Sequence, residues 1–78
     1  MAEHNELAHT AKVGDIVQSR YSSSGVHWEV TGEDEERTKY YGRNVSGLRA
    51  LRLRSVKSGK TKTGVSSDLV IVKRLEEN

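Results

Sequence analysis

The chain has 78 residues and a formal net charge of +2, enough for one small domain and too little for a second core. It holds no cysteine, which excludes a disulfide framework and a thiolate zinc site, and no apolar run approaches the ~18 residues of a membrane span. Seventeen Leu, Ile and Val, with no Phe and no Pro, describe a folded domain with a lean core that relies on well-made secondary structure.

The small net charge conceals strong polarity. Nine Lys and Arg lie between Arg37 and Ser67 with no Asp or Glu among them, whereas the first 36 residues carry eight acids against Lys12 and Arg20. Segregated charge of this kind bears on partners more than on fold.

Taken in chain order, residues 1–12 hold Leu7 as the only large apolar residue after Met1, and they are expected to form a flexible N-terminal segment or a short frayed helix. No basic-then-apolar leader pattern is present, so the expected location is cytoplasmic. Order is expected from Val13: Gly14-Asp15 is a turn signal, and Ile16 to Tyr21 reads as a first strand. After the Ser22–Gly25 loop, Val26, Trp28 and Val30 alternate with His27, Glu29 and Thr31. That two-residue period marks a strand with one buried face, and it makes Trp28 a core anchor. Gly32 to Glu36 reads as an acidic loop. Thr38 to Tyr41 then reads as a third strand, which would point Tyr40 and Tyr41 to opposite faces.

Leu48 to Val56 discriminates between fold classes. A helix there would set Arg49 and Arg52 inside its own apolar stripe. On a strand, Leu51 and Leu53 face one way while Arg52 and Arg54 face the other. The strand is therefore predicted, with a bulge or bend near Arg49 or Ser55 to accommodate Leu48 and Val56. Ser58-Gly59-Lys60 is a turn, Lys60 to Val65 a returning strand in which Gly64 permits close approach, and Ser66 to Asp68 another turn. Leu69 to Leu75 is a last strand with apolar residues on both faces. Five or six short, mostly antiparallel strands predict an all-β fold: a small barrel over residues 13–76, followed by a tail at 77–78. Closure would hide edges that a chain without proline otherwise exposes.

Two stretches carry a resemblance. Lys12-Val13-Gly14-Asp15-Ile16-Val17 resembles the turn and strand that open many SH3-like small β-barrels, and Gly64-Val65-Ser66-Ser67-Asp68-Leu69-Val70 resembles their closing turn and last strand. The resemblance implies a barrel fold, with Val26 to Thr31 in the place of the second strand. It does not carry over proline-rich peptide binding: Trp28 is single, the tyrosine-rich segment is missing, and Ser66 stands where that group usually has proline. Ser58-Gly59-Lys60-Thr61-Lys62 is also similar to the basic glycine turn of KOW-type barrels, a resemblance that implies RNA or transcription machinery as partner.

The chemistry divides two ways. Arg49, Arg52 and Arg54 on the strand, with Lys57, Lys60 and Lys62 on the adjoining hairpin, form a cationic strip suited to phosphates. Tyr40, Tyr41 and Arg43 would add stacking surface for single-stranded nucleic acid. The same strip would equally serve an acidic protein surface, as in an interaction or structural accessory protein such as a phage-assembly component. It would also serve merely as a solvated face paired to the Glu33–Glu36 loop. Catalysis is not expected: Gly59-Lys60-Thr61 has Arg54 where a P-loop needs its first glycine, and Ser22–Ser24 with His27 have neither an orienting group nor an oxyanion site. His4, His9 and His27 are too scattered for a metal site, and no cofactor is implied.

Overall fold

The computed structural model describes residues 6–21, 25–42 and 47–75. Five strands, β1 (Ile16–Ser19), β2 (Trp28–Glu33), β3 (Ala50–Ser55), β4 (Thr61–Val65) and β5 (Leu69–Lys73), form one antiparallel sheet in the order β4-β3-β2-β1-β5. The all-β expectation holds, with one short helix, α1 (Glu35–Gly42), between β2 and β3.

The alternation in β3 does what its residues dictate. Leu51, Leu53 and Ser55 are buried while Arg52 and Arg54 are exposed. Pairing with β4 runs unbroken from Ala50 opposite Val65 to Arg54 opposite Thr61. The bend expected near Arg49 or Ser55 is therefore absent from β3. The register shifts instead in β2, between Val30 and Gly32, so that Gly32 and Glu33 still pair with Arg52 and Leu51. No bend is needed for Leu48 or Val56, because both lie outside β3 and Val56 is exposed.

The sheet curls: the principal extents are 33, 31 and 30 Å, which a flat five-stranded sheet would not give. No ladder joins β4 to β5 among the described residues. At Gly64 the end of β4 packs closely on the core: an added Cβ would stand 3.1 Å from Leu53 Cδ1 and 3.3 Å from Leu69 Cδ1. A single 3-10 turn, Ser66–Asp68, then leads directly into β5.

Two expectations need correction. Thr38 to Tyr41 is helical, not a strand. Asp34 starts the helix: its Oδ1 accepts from Arg37 N at 3.2 Å and its carbonyl from Thr38 N at 2.9 Å. Glu35 and Glu36 then sit in the first turn, where the helix dipole favours negative charge. Residues 6–12, expected as a flexible segment or a short frayed helix, hold a short 3-10 helix at Ala8–Thr10 and pack on the core rather than staying flexible. Ala8 and Ala11 are fully buried beside Val17, Val30, Leu51, Leu53, Leu69 and Ile71. Ile71 N donates to the Glu6 carbonyl at 2.8 Å, and Leu7 bridges to Val70, which covers the edge of β5 that β1 leaves open. Alanines give this segment no hydrophobic signal, yet their small size lets the backbone come close.

The turn before β1 is held by Asp15, a buried carboxylate that accepts from Lys12 N at 2.9 Å and Leu75 N at 2.8 Å. Gly14 adopts φ +100°, and a Cβ there would meet Leu75 Cδ2 at 2.7 Å. No helix among the described residues is long and apolar enough to cross a membrane.

Candidate nucleic-acid interface

The sequence-predicted cations divide into those the fold consumes and those it leaves exposed. Arg49 is consumed. Its Nη1 donates to the carbonyls of His9 (2.9 Å) and Ala11 (2.8 Å), and its Nε and Nη2 both donate to Glu33 Oε1 at 3.3 and 2.9 Å. Glu33 Oε2 accepts from the Thr38 hydroxyl at 2.8 Å, and that hydroxyl accepts from Ala50 N at 2.8 Å. The hydrogen bonds from Arg49 hold the Glu33 carboxyl below the usual glutamate range; burial opposes this, and the Thr38 hydroxyl adds to it. The guanidinium thus joins the N-terminal segment to β2, and the Glu33–Thr38–Ala50 hydrogen bonds extend the link to α1 and β3.

Two other arginines also have internal partners. Arg54 Nη2 meets Glu29 Oε1 at 2.8 Å on the neighbouring strand, and Arg37 pairs with Asp34 at 3.5 Å. Part of the acidic stretch therefore does neutralise the basic one, as the solvated-face reading expected.

What remains is concentrated on the β3–β4 hairpin. Arg52, Lys57, Lys60 and Lys62 are all exposed, and none forms an ion pair among the described residues. The hairpin turn is firm: Ser55 N donates to the Lys60 carbonyl at 2.7 Å, Gly59 N to the Ser55 carbonyl at 2.9 Å, and Ser58 N to Ser55 Oγ at 3.2 Å. Lys57 and Lys60 are therefore carried on an ordered loop. Arg52 and Lys62 line a hollow of about 320 Å³ with Thr31, Leu53, Thr61 and Thr63. The Arg52 guanidinium and the Thr61 and Thr63 hydroxyls are donors of the kind a phosphate takes; Thr31 Oγ1 already donates to the Arg52 carbonyl at 3.3 Å, and the Lys62 ammonium lies over Trp28.

Tyr40 and Tyr41 do not join this group. They stack edge to face at 5.8 Å on α1, with Tyr40 exposed and Tyr41 half-buried. The helix is fastened by Thr38 to Ala50, at the opposite end of β3 from the turn, ~17 Å away at strand rise. Arg43 lies outside the described residues, as do His4 and Ser22–Ser24.

Trp28 was missed as a surface group. It is only half-buried: it packs against the core cluster and has the Lys62 Nζ 4.3 Å from its ring centroid. Its apolar neighbours in β2 signal burial, while the cation across from it comes from a strand more than thirty residues on. Only the β2–β3–β4 register brings the two together.

His9 Nδ1 and Ser66 Oγ are hydrogen-bonded at 2.9 Å, but Ser66 is fully buried and its hydroxyl also accepts from Arg49 N at 3.0 Å. That pair fastens the N-terminal segment to the turn before β5. No group of three or more potential metal ligands occurs among the described residues. Comparison of the chain with protein-family models, curated proteins and solved structures finds no match.

Proposed function

We propose that this chain is a non-enzymatic binding module, an SH3-like small barrel whose β3–β4 hairpin contacts the phosphate backbone of nucleic acid. The observation that carries the reading is the division of the cations. Internal pairing takes up Arg37, Arg49 and Arg54 and leaves Arg52, Lys57, Lys60 and Lys62 together on one hairpin, with Lys39 apart on α1. The Thr61 and Thr63 hydroxyls beside Arg52 add neutral donors for phosphate oxygens. The strand order, with β1 between β2 and β5, and the single 3-10 turn before β5 support the SH3-like part of the reading.

A protein partner with an acidic surface is the competing reading. Self-association through Glu33–Glu36 loses ground, because Glu33 is committed to Arg49 and Asp34 to the helix start. The two readings separate in a competition experiment. Oligothymidine and inorganic polyphosphate should both bind and displace one another. Substituting Lys57, Lys60 and Lys62 together with Gln should abolish both. A protein that binds neither at low salt, while retained on an acidic polypeptide such as polyglutamate, would overturn the nucleic-acid reading.

A further inference from the structure

We propose that Trp28 is a base-stacking platform, so that the interface takes single-stranded rather than duplex nucleic acid. The inference rests on the phosphate-binding reading above and adds the part of the ligand that reading does not address.

Trp28 is the one tryptophan of the chain. It packs against the core cluster, and the group placed over its ring is the ammonium of Lys62, an exposed side chain on edge strand β4. Lys62 also lines the threonine-rich hollow with Arg52. Its side chain lies on the Trp28 side of the sheet, across from Leu53, whereas Arg52, opposite Thr63, projects from the other side. Directly across from Trp28 in the β2–β3 register is Ser55, the root of the turn that carries Lys57 and Lys60. Base platform and backbone cations thus occupy the same end of the sheet.

The magnitudes favour exchange. An exposed cation–π contact is worth about 2- to 5-fold in an equilibrium, whereas stacking one base on an aromatic ring is worth about 5- to 150-fold in affinity. A base arriving at Trp28 therefore displaces the ammonium. The released Lys62 then finds an adjacent phosphate, so the displaced cation gains a partner. A duplex keeps its bases stacked on one another and has none to offer the ring. Beside Trp28, Val26 and Val56 are exposed around a second hollow, of about 310 Å³, with Gly25, His27 and Lys57, which gives the face of a neighbouring base an apolar wall.

The intrinsic emission of Trp28 reports the event without a label. Titration with oligothymidine should quench it saturably, whereas inorganic polyphosphate should bind, measured by displacement of oligothymidine, without quenching. A DNA duplex should bind more weakly than the single strand. Trp28→Leu should weaken oligothymidine about 5- to 150-fold and leave polyphosphate unchanged. Lys62→Gln, which leaves the ring in place, should retain the quench. Polyphosphate binding accompanied by oligothymidine binding with no change in emission would overturn the stacking proposal alone. Equal loss of both ligands in Trp28→Leu, with the quench absent from the unsubstituted protein, would do the same. Failure of every probe to bind would instead contradict the phosphate-binding reading beneath it.

Discussion

The Arg49 guanidinium meets the Glu33 carboxylate at 2.9 Å while its other terminal nitrogen donates to the carbonyls of His9 and Ala11. This one side chain ties the N-terminal segment and the end of β2 to the start of β3, three places distant in sequence. Arg52, three residues later and within β3, makes no such contact among the described residues and faces outward. Two arginines of one charge run thus do different work: Arg49 stabilises the fold, and Arg52 is available to a ligand.

Their substitution should separate accordingly. Arg49→Met strands the Glu33 carboxylate and two carbonyls, and should lower stability by about 2–3 kcal/mol in urea denaturation. Arg52→Ala should stay within about 0.5 kcal/mol of the unsubstituted protein. Equal effects would show that the Arg49 clasp contributes nothing beyond its surface.

Acid should weaken the same clasp. Hydrogen bonds from Arg49, foremost, hold the folded-state pKa of Glu33 below its ordinary 4.5. The unfolded chain therefore takes up the proton more readily than the folded one. The resulting stability is fully present above the unfolded value and is lost as pH falls through the folded value. Glu33→Gln should accordingly be less stable than the unsubstituted protein at neutral pH, with the gap closing in acid. Thermal melts across pH test this, and a gap independent of pH would contradict it.

Gly14 makes a separate structural prediction. At φ +100° a side chain is strained, and a Cβ would lie 2.7 Å from Leu75 Cδ2. Gly14→Ala should cost about 1–2 kcal/mol. Adding Leu75→Ala removes the collision but not the backbone strain, so the double variant should remain less stable than Leu75→Ala alone. Full rescue in thermal melts would assign the whole effect to the collision.

Much of this architecture is legible in the sequence where the controlling contacts are local. Alternation of Leu51, Arg52, Leu53 and Arg54 identifies β3 and its exposed face, and Gly64 marks the close approach that the core requires. The helix is hidden because Asp34 reads as one acid among four, although it is the residue that starts α1. Ala8 and Ala11 are hidden because small residues carry no hydrophobic period. The fate of Arg49, and the Lys62 ammonium over Trp28, depend on partners sixteen or more residues away. Charge counting therefore locates the basic run but cannot divide it into structural and available members.

The Glu29–Arg54 pair offers a test by gain. Glu29→Gln removes the carboxylate that Arg54 meets at 2.8 Å, and adds a cation to the outer face of the hairpin. Binding of oligothymidine should tighten, and its dependence on salt should steepen by up to ~0.7 in logarithmic slope. An unchanged slope would place Arg54 outside the interface.

The phosphate-binding account is tested most directly by the affinity for oligothymidine as a function of salt. The four unpaired cations of the hairpin, Arg52, Lys57, Lys60 and Lys62, predict a slope of about −3 in log affinity against log salt, less steep by ~0.7 for each one removed. A slope near zero, or no binding at low salt, would contradict it.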